Sequence, residues 1–131
     1  MNKLKNSMEW INQAGYDMET GQALLTAGRY IYCVFMCHLA LEKALKAMYV
    51  THYNKNAPKV HSLVYLAQSV KLQTTVEIRD FLENLDEISV PVRYPEELDV
   101  LLKGFSKEKT EEIFGKTKEA LAWLTRELKK Q

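Results

Sequence analysis

Phe35-Met36-Cys37-His38-Leu39-Ala40-Leu41-Glu42-Lys43-Ala44-Leu45-Lys46-Ala47 is the stretch on which the fold turns. In a helix over residues 30–53, Ile31, Phe35, Leu39, Leu45 and Tyr49 cover one side, and Val34, Cys37, Leu41, Ala44 and Met48 cover another. A helix that is apolar nearly all round belongs at the centre of its domain, with the other elements laid against it.

Upstream, Leu4, Met8, Ile11, Gly15, Met18 and Leu25 recur at spacings of three and four, which predicts a first helix over residues 4–27. Gly28 stands where a helix end needs positive φ, and Arg29-Tyr30 opens the next segment, so the first two helices are antiparallel neighbours. Downstream, Pro58 and the asparagines of Asn54-Lys55-Asn56 end the central helix. Ser62 caps a short third helix carrying Leu63, Leu66, Ala67 and Val70, and Thr74-Thr75-Val76-Glu77 has capping-box spacing for a fourth through Ile78, Phe81, Leu82, Leu85 and Ile88. Pro91 and Pro95 predict a structured loop over residues 89–104. Ser106 caps a last helix in which Ile113, Phe114, Ala120, Leu121, Leu124 and Leu128 repeat helically. With no strand-like alternation and no internal repeat, the expected fold is all-α: an antiparallel bundle of about five helices, a four-helix up-and-down core plus one short helix.

A length of 131 residues is one domain's worth, residues 1–131, and folding should bury roughly two-thirds of the surface of the unfolded chain. Hydrophobic residues make up 47% and charged residues 27%, with three prolines and five glycines, which excludes disordered and collagen-like chains. The net charge of +1 excludes a generic polycation, but residues 1–76 carry +4, residues 77–99 carry −6 and residues 100–131 carry +3. The acidic segment reads either as a solvated helix face or as a surface that steers a basic partner or a second copy. The uncharged run 30–41 is too short to span a membrane, and the start lacks the apolar core of a signal peptide, so a cytoplasmic protein is expected. Cys33 and Cys37, one helical turn apart, read as reduced, buried small hydrophobes.

Charges on a buried helix need a reason. Glu42 and Lys46 are four apart in the favoured order, and with Lys43 they form either an exposed salt bridge or the lining of a cleft that takes a phosphate or a partner's carboxylate. His38, one turn before Glu42, reads as a hydrogen-bonded core histidine, since neighbouring helices supply no Glu-x-x-His to complete a metal site. His61 beside Ser62 reads as part of a capping loop or as a cleft-facing polar group. Arg93-Tyr94, between two prolines, pairs a two-pronged phosphate donor with a ring that stacks on bases, or else Arg93 staples its loop to the acidic fourth helix. No Gly-rich phosphate loop, zinc spacing or Ser-His-Asp set is visible.

The hairpin at Arg29-Tyr30, the stretch quoted first, Pro58-x-x-His61-Ser62-Leu63 and Arg93-Tyr94-Pro95 follow one another in an order and spacing that resemble the HEPN domain over nearly the whole chain. The resemblance implies a helical bundle that commonly dimerises and is often encoded beside a minimal nucleotidyltransferase. In many members it implies a metal-independent ribonuclease of toxin–antitoxin type, marked by an Arg followed after four to six residues by His at a composite two-protomer site. Here those positions after Arg93 hold Leu98, Asp99 and Val100, and no histidine follows His61. Leu and Val move no proton, and a carboxylate beside an arginine is a weak base. The expectation is therefore a homodimeric module that binds a nucleotide, single-stranded RNA or a nucleotidyltransferase, using Arg93, Tyr94, Lys46, Lys43, Glu42 and His61, with no metal or cofactor. A ribonuclease with His61 or His38 as a displaced proton carrier is the alternative, and a purely structural interaction protein is the third reading.

Overall fold

A computed structural model describes residues 6–93 and 97–130, apart from the side chain of Arg93. Six helices follow one another: α1 (Ser7–Thr26), α2 (Tyr30–Tyr53), α3 (Leu63–Ser69), α4 (Val76–Arg93), α5 (Leu98–Gly104) and α6 (Lys107–Lys129). Among the described residues there is no strand.

Helix α2 touches each of the other five and packs most extensively on α1 and then α6. Its Cys33, Val34, Cys37, Ala40, Leu41, Ala44 and Leu45 are completely buried in one core with Leu63, Leu85 and Leu124. Truncating a leucine such as Leu41 or Leu45 there would cost about 2–5 kcal/mol. Cys33 and Cys37 are free thiols. The hydrogen bond with Cys33 and then burial push the Cys37 thiol above its ordinary value, so it stays protonated and inert.

The turn between α1 and α2 is a Schellman motif: Arg29 N–H donates to Leu24 O at 2.8 Å and Gly28 N–H to Leu25 O at 3.1 Å, with Gly28 at φ 76°. It folds α1 back along α2, so that Ser7 donates to Ala47 O at the far end (3.0 Å). Close approach depends on Gly21, where a Cβ would lie 3.3 Å from the Phe114 ring and 3.4 Å from Met36 Cβ. The buried stripe of α1 runs through Ala14, Asp17, Met18 and Gly21, so Met8 and Gly15, expected on it, face solvent instead.

Ser62, Thr75 and Ser106 cap α3, α4 and α6 by accepting from Tyr65, Ile78 and Lys109 N–H, each at 3.1 Å. In α4 the cap is Thr75; the Thr74–Glu77 box is unused because the third helical position is the apolar Ile78, which faces the core. The largest departure from expectation lies at residues 89–104. Helix α4 continues through Pro91 to Arg93, and α5 forms where a loop was expected. Pro91 removes one late hydrogen bond, but Ser89 is buried and Ile88 and Val92 pack on the core, and that burial holds the last turn helical.

Candidate functional site

Helices α2, α3 and α4 meet around a polar knot set into the core. Asp86 of α4 sits at its centre. His38 Nε2–H donates to Asp86 Oδ1 at 2.9 Å, Leu63 N–H donates to the same oxygen at 2.9 Å, and Val64 N–H and the Ser62 hydroxyl donate to Oδ2 at 3.2 Å. One carboxylate thus closes the start of α3 and fixes His38 on α2. Burial works to raise the Asp86 carboxyl, but the hydrogen bond from His38 and the amides of Leu63 and Val64 outweigh it and hold the group below the usual carboxylate range.

One turn along α2, Glu42 takes up the chain of contacts. It is only 4% exposed, and it accepts from Lys46 Nζ at 3.0 Å and from His61 Nδ1 at 3.1 Å, with His38 Nδ1 3.8 Å from its Oε1. Lys46 is 7% exposed and its ammonium also lies 5.7 Å from the centre of the Trp10 ring. The Glu42–Lys46 pair is therefore neither an exposed salt bridge nor a free phosphate contact: both charges are internal and neutralise each other. His38, at 2% exposure, has each ring nitrogen facing a carboxylate. His61 reaches solvent, with 63% of its side chain exposed.

A HEPN domain model matches residues 7–128. The chain belongs to the HEPN family. Two solved structures share the fold of this HEPN protein: TT1696 from Thermus thermophilus, with 22% identity, a TM-score of 0.79 and coverage of 92% of this chain and 96% of that one; and ST0689, an archaeal HEPN homologue, with 21% identity, a TM-score of 0.76 and coverage of 95% and 99%. At such identities the likeness is one of fold alone. No curated protein matches the chain.

Within this HEPN fold, Glu42, Lys46 and His61 come together as one group, with His38 behind them. Lys43 does not join them, because its Nζ lies 2.8 Å from Asp17 Oδ2 of α1. Arg93 ends α4, and Tyr94 lies outside the described residues. Among the described residues no three or more His, Cys, Asp or Glu side chains are placed to hold a metal ion, and no helix is long and apolar enough to cross a membrane.

Two buried or half-buried carboxylates escaped the sequence reading: Asp86 of the network, and Asp17, which holds Lys43 away from it. Both carry a signal that was available. Asp86 follows Leu85 and lies four after Leu82 and three before Ser89, on the face that holds these buried residues. Asp17 sits between Ala14 and Met18 on the buried stripe of α1. A carboxylate on an apolar helix face implies a buried partner.

Proposed function

We propose that this HEPN protein is a homodimeric binding module for a nucleotide or a short single-stranded RNA, in a toxin–antitoxin-like setting beside a minimal nucleotidyltransferase, and that it does not cleave its ligand. The observation that carries the reading is the burial of His38 between Asp86 and Glu42, because metal-independent RNA cleavage needs one group to take the 2′-hydroxyl proton and another to serve the leaving oxygen. A histidine held between two carboxylates inside the core reaches no substrate. With no histidine at the family's spacing from Arg93, His61 is the remaining imidazole of the network at the surface.

Dimerisation has its own support. Helix α5 buries none of its residues, and it exposes Leu98, Val100 and Leu102, with Val90 of α4 also exposed nearby in the chain. Apolar side chains crowded on one short helix mark a surface made to be covered. A two-fold contact there brings both copies of the end of α4 toward one place, as in a composite site.

A second reading is favoured by one geometric detail. Glu42 holds His61 through Nδ1, which is how a carboxylate orients a histidine whose other nitrogen is to move a proton. The deciding experiment titrates wild type, Arg93→Ala and His61→Ala with a nucleotide panel and short RNAs in chelator, and follows the RNA on a gel. Binding that weakens about tenfold in Arg93→Ala, with intact RNA throughout, is the expected outcome. Cleavage abolished by both substitutions would establish the ribonuclease reading, and no binding by wild type would leave the structural-protein reading.

A further inference from the structure

Between Glu42 and Glu77 the chain has no acidic residue, while it has Lys43, Lys46, Lys55, Lys59 and Lys71, the histidines His52 and His61, and the tyrosines Tyr49, Tyr53 and Tyr65. The fold gathers the later part of this segment at one end of the bundle, where α2 stops and the connection to α3 begins. Rings cluster there. Tyr49 and Tyr53 have centroids 4.6 Å apart, and His52 meets Tyr53 edge-on at 4.5 Å. The Lys55 ammonium stands 5.7 Å from the centre of the Tyr53 ring. The Tyr53 hydroxyl donates to Ser69 O on α3, which fixes the ring across the gap between the two helices while leaving the residue 38% exposed.

Helix α2 ends here through Asn54 in the left-handed conformation, φ 50°, whose N–H donates to Val50 O at 2.8 Å. The chain then turns out through Lys55 and Lys59, both exposed, before reaching His61 over Glu42, and Tyr65, also exposed, follows one turn into α3. Acidic groups around this end are occupied: Asp86 by α3 and His38, and Glu42 by Lys46 and His61, while Glu9 in the first turn of α1 accepts from Gln13.

We infer that Tyr53, with His52, Lys55 and Lys59, forms a stacking platform for an unpaired base, and that it holds a single strand of RNA whose backbone runs past Lys59 toward His61. This rests on the RNA-binding reading above and deepens it, since it places the base contact at residues which that reading did not use. An aromatic face takes any base, and lysines on an exposed connection track phosphates, so the platform selects single strands over duplexes and is tolerant of sequence. A base arriving on Tyr53 displaces the Lys55 ammonium from the ring toward the phosphate beside it, a better partner for a cation than a ring quadrupole.

The test measures fluorescence anisotropy of fluorescein-labelled 12-mers of uridylate and adenylate, and of an RNA duplex, with the full chain. Tyr53→Leu, which keeps apolar bulk but removes the π face, should weaken single-strand binding about 5- to 150-fold, while Tyr53→Phe stays near wild type. Lys55→Gln combined with Lys59→Gln should flatten the slope of log K against log salt by about 1.4, the value for two lost phosphate contacts to a single strand. Circular dichroism melts confirm that each variant is folded, and the double lysine variant reports even if Tyr53→Leu does not fold. Wild-type affinity in Tyr53→Leu, an equal loss in Tyr53→Phe and Tyr53→Leu, an unchanged salt slope, or a duplex bound as tightly as single strands would each overturn the platform. Binding lost in Arg93→Ala but kept in Tyr53→Leu overturns the platform and leaves the RNA-binding reading standing, whereas wild type that binds neither oligomer overturns both.

Discussion

Asp86 joins three helices through one carboxylate. Replacing it with alanine leaves His38 Nε2–H and the amides of Leu63 and Val64 without their acceptor in a half-buried site, at a cost of roughly 2–4 kcal/mol. Asparagine keeps one acceptor and should cost less. Because the folded state holds the Asp86 carboxyl below its ordinary value, its contribution is complete above the unfolded carboxylate range, near pH 4, and is lost as pH falls from there toward the folded value. Urea melts at stepped pH should therefore show wild type more stable than Asp86→Asn by a constant margin from about pH 5 to 7, with the margin closing below about pH 4. A margin that shows no narrowing at all as pH falls below about 4 would mean that the carboxylate charge is not what ties the helices.

At the scale of elements, two helices end in the same hydrogen-bond pattern with different residues at the left-handed position. After α1 that residue is Gly28, and after α3 it is Lys71, at φ 55°, where Leu72 N–H donates to Ala67 O at 3.1 Å and Lys71 N–H to Gln68 O at 3.0 Å. A side chain in this conformation costs about 1 kcal/mol relative to glycine. Lys71→Gly is thus expected to raise stability by up to about 1 kcal/mol and Gly28→Ala to lower it by a similar amount, as read by chemical denaturation; no Cβ clash enters at Gly28, where the added atom meets nothing within 4 Å. Gly28 announces its turn in the sequence, but Lys71 does not. A lysine says nothing about φ, and only the packing of Leu72 and Val70 against the core forces the backbone through that turn.

For the whole molecule, the expectation is a two-fold dimer closed over α5. Light scattering across a concentration series should give about twice the 15.2 kDa chain mass. Leu98→Glu with Leu102→Glu should return the monomer with little change in helix content, because neither side chain is buried within the chain. A wild-type monomer at millimolar concentration would refute the assembly, and a dimer untouched by the two charges would place its interface elsewhere.

Local and periodic features were legible in the sequence: the central α2, the caps at Ser62 and Ser106, the turn at Gly28, and the all-α class. Each depends on contacts within a few residues or on one helix's own periodicity, and the family's motifs lie along the chain where they can be read directly. The tertiary structure decided what depends on residues far apart. It sent Lys43 to Asp17 and Lys46 to Glu42, buried a pair that reads equally well as exposed, and kept α4 helical through Pro91. It also left His61 at the surface while His38 was enclosed. A charge on a helix has the same sequence signature whether it meets water or a carboxylate from another helix; the difference lies in which helix packs beside it, and no local pattern encodes that.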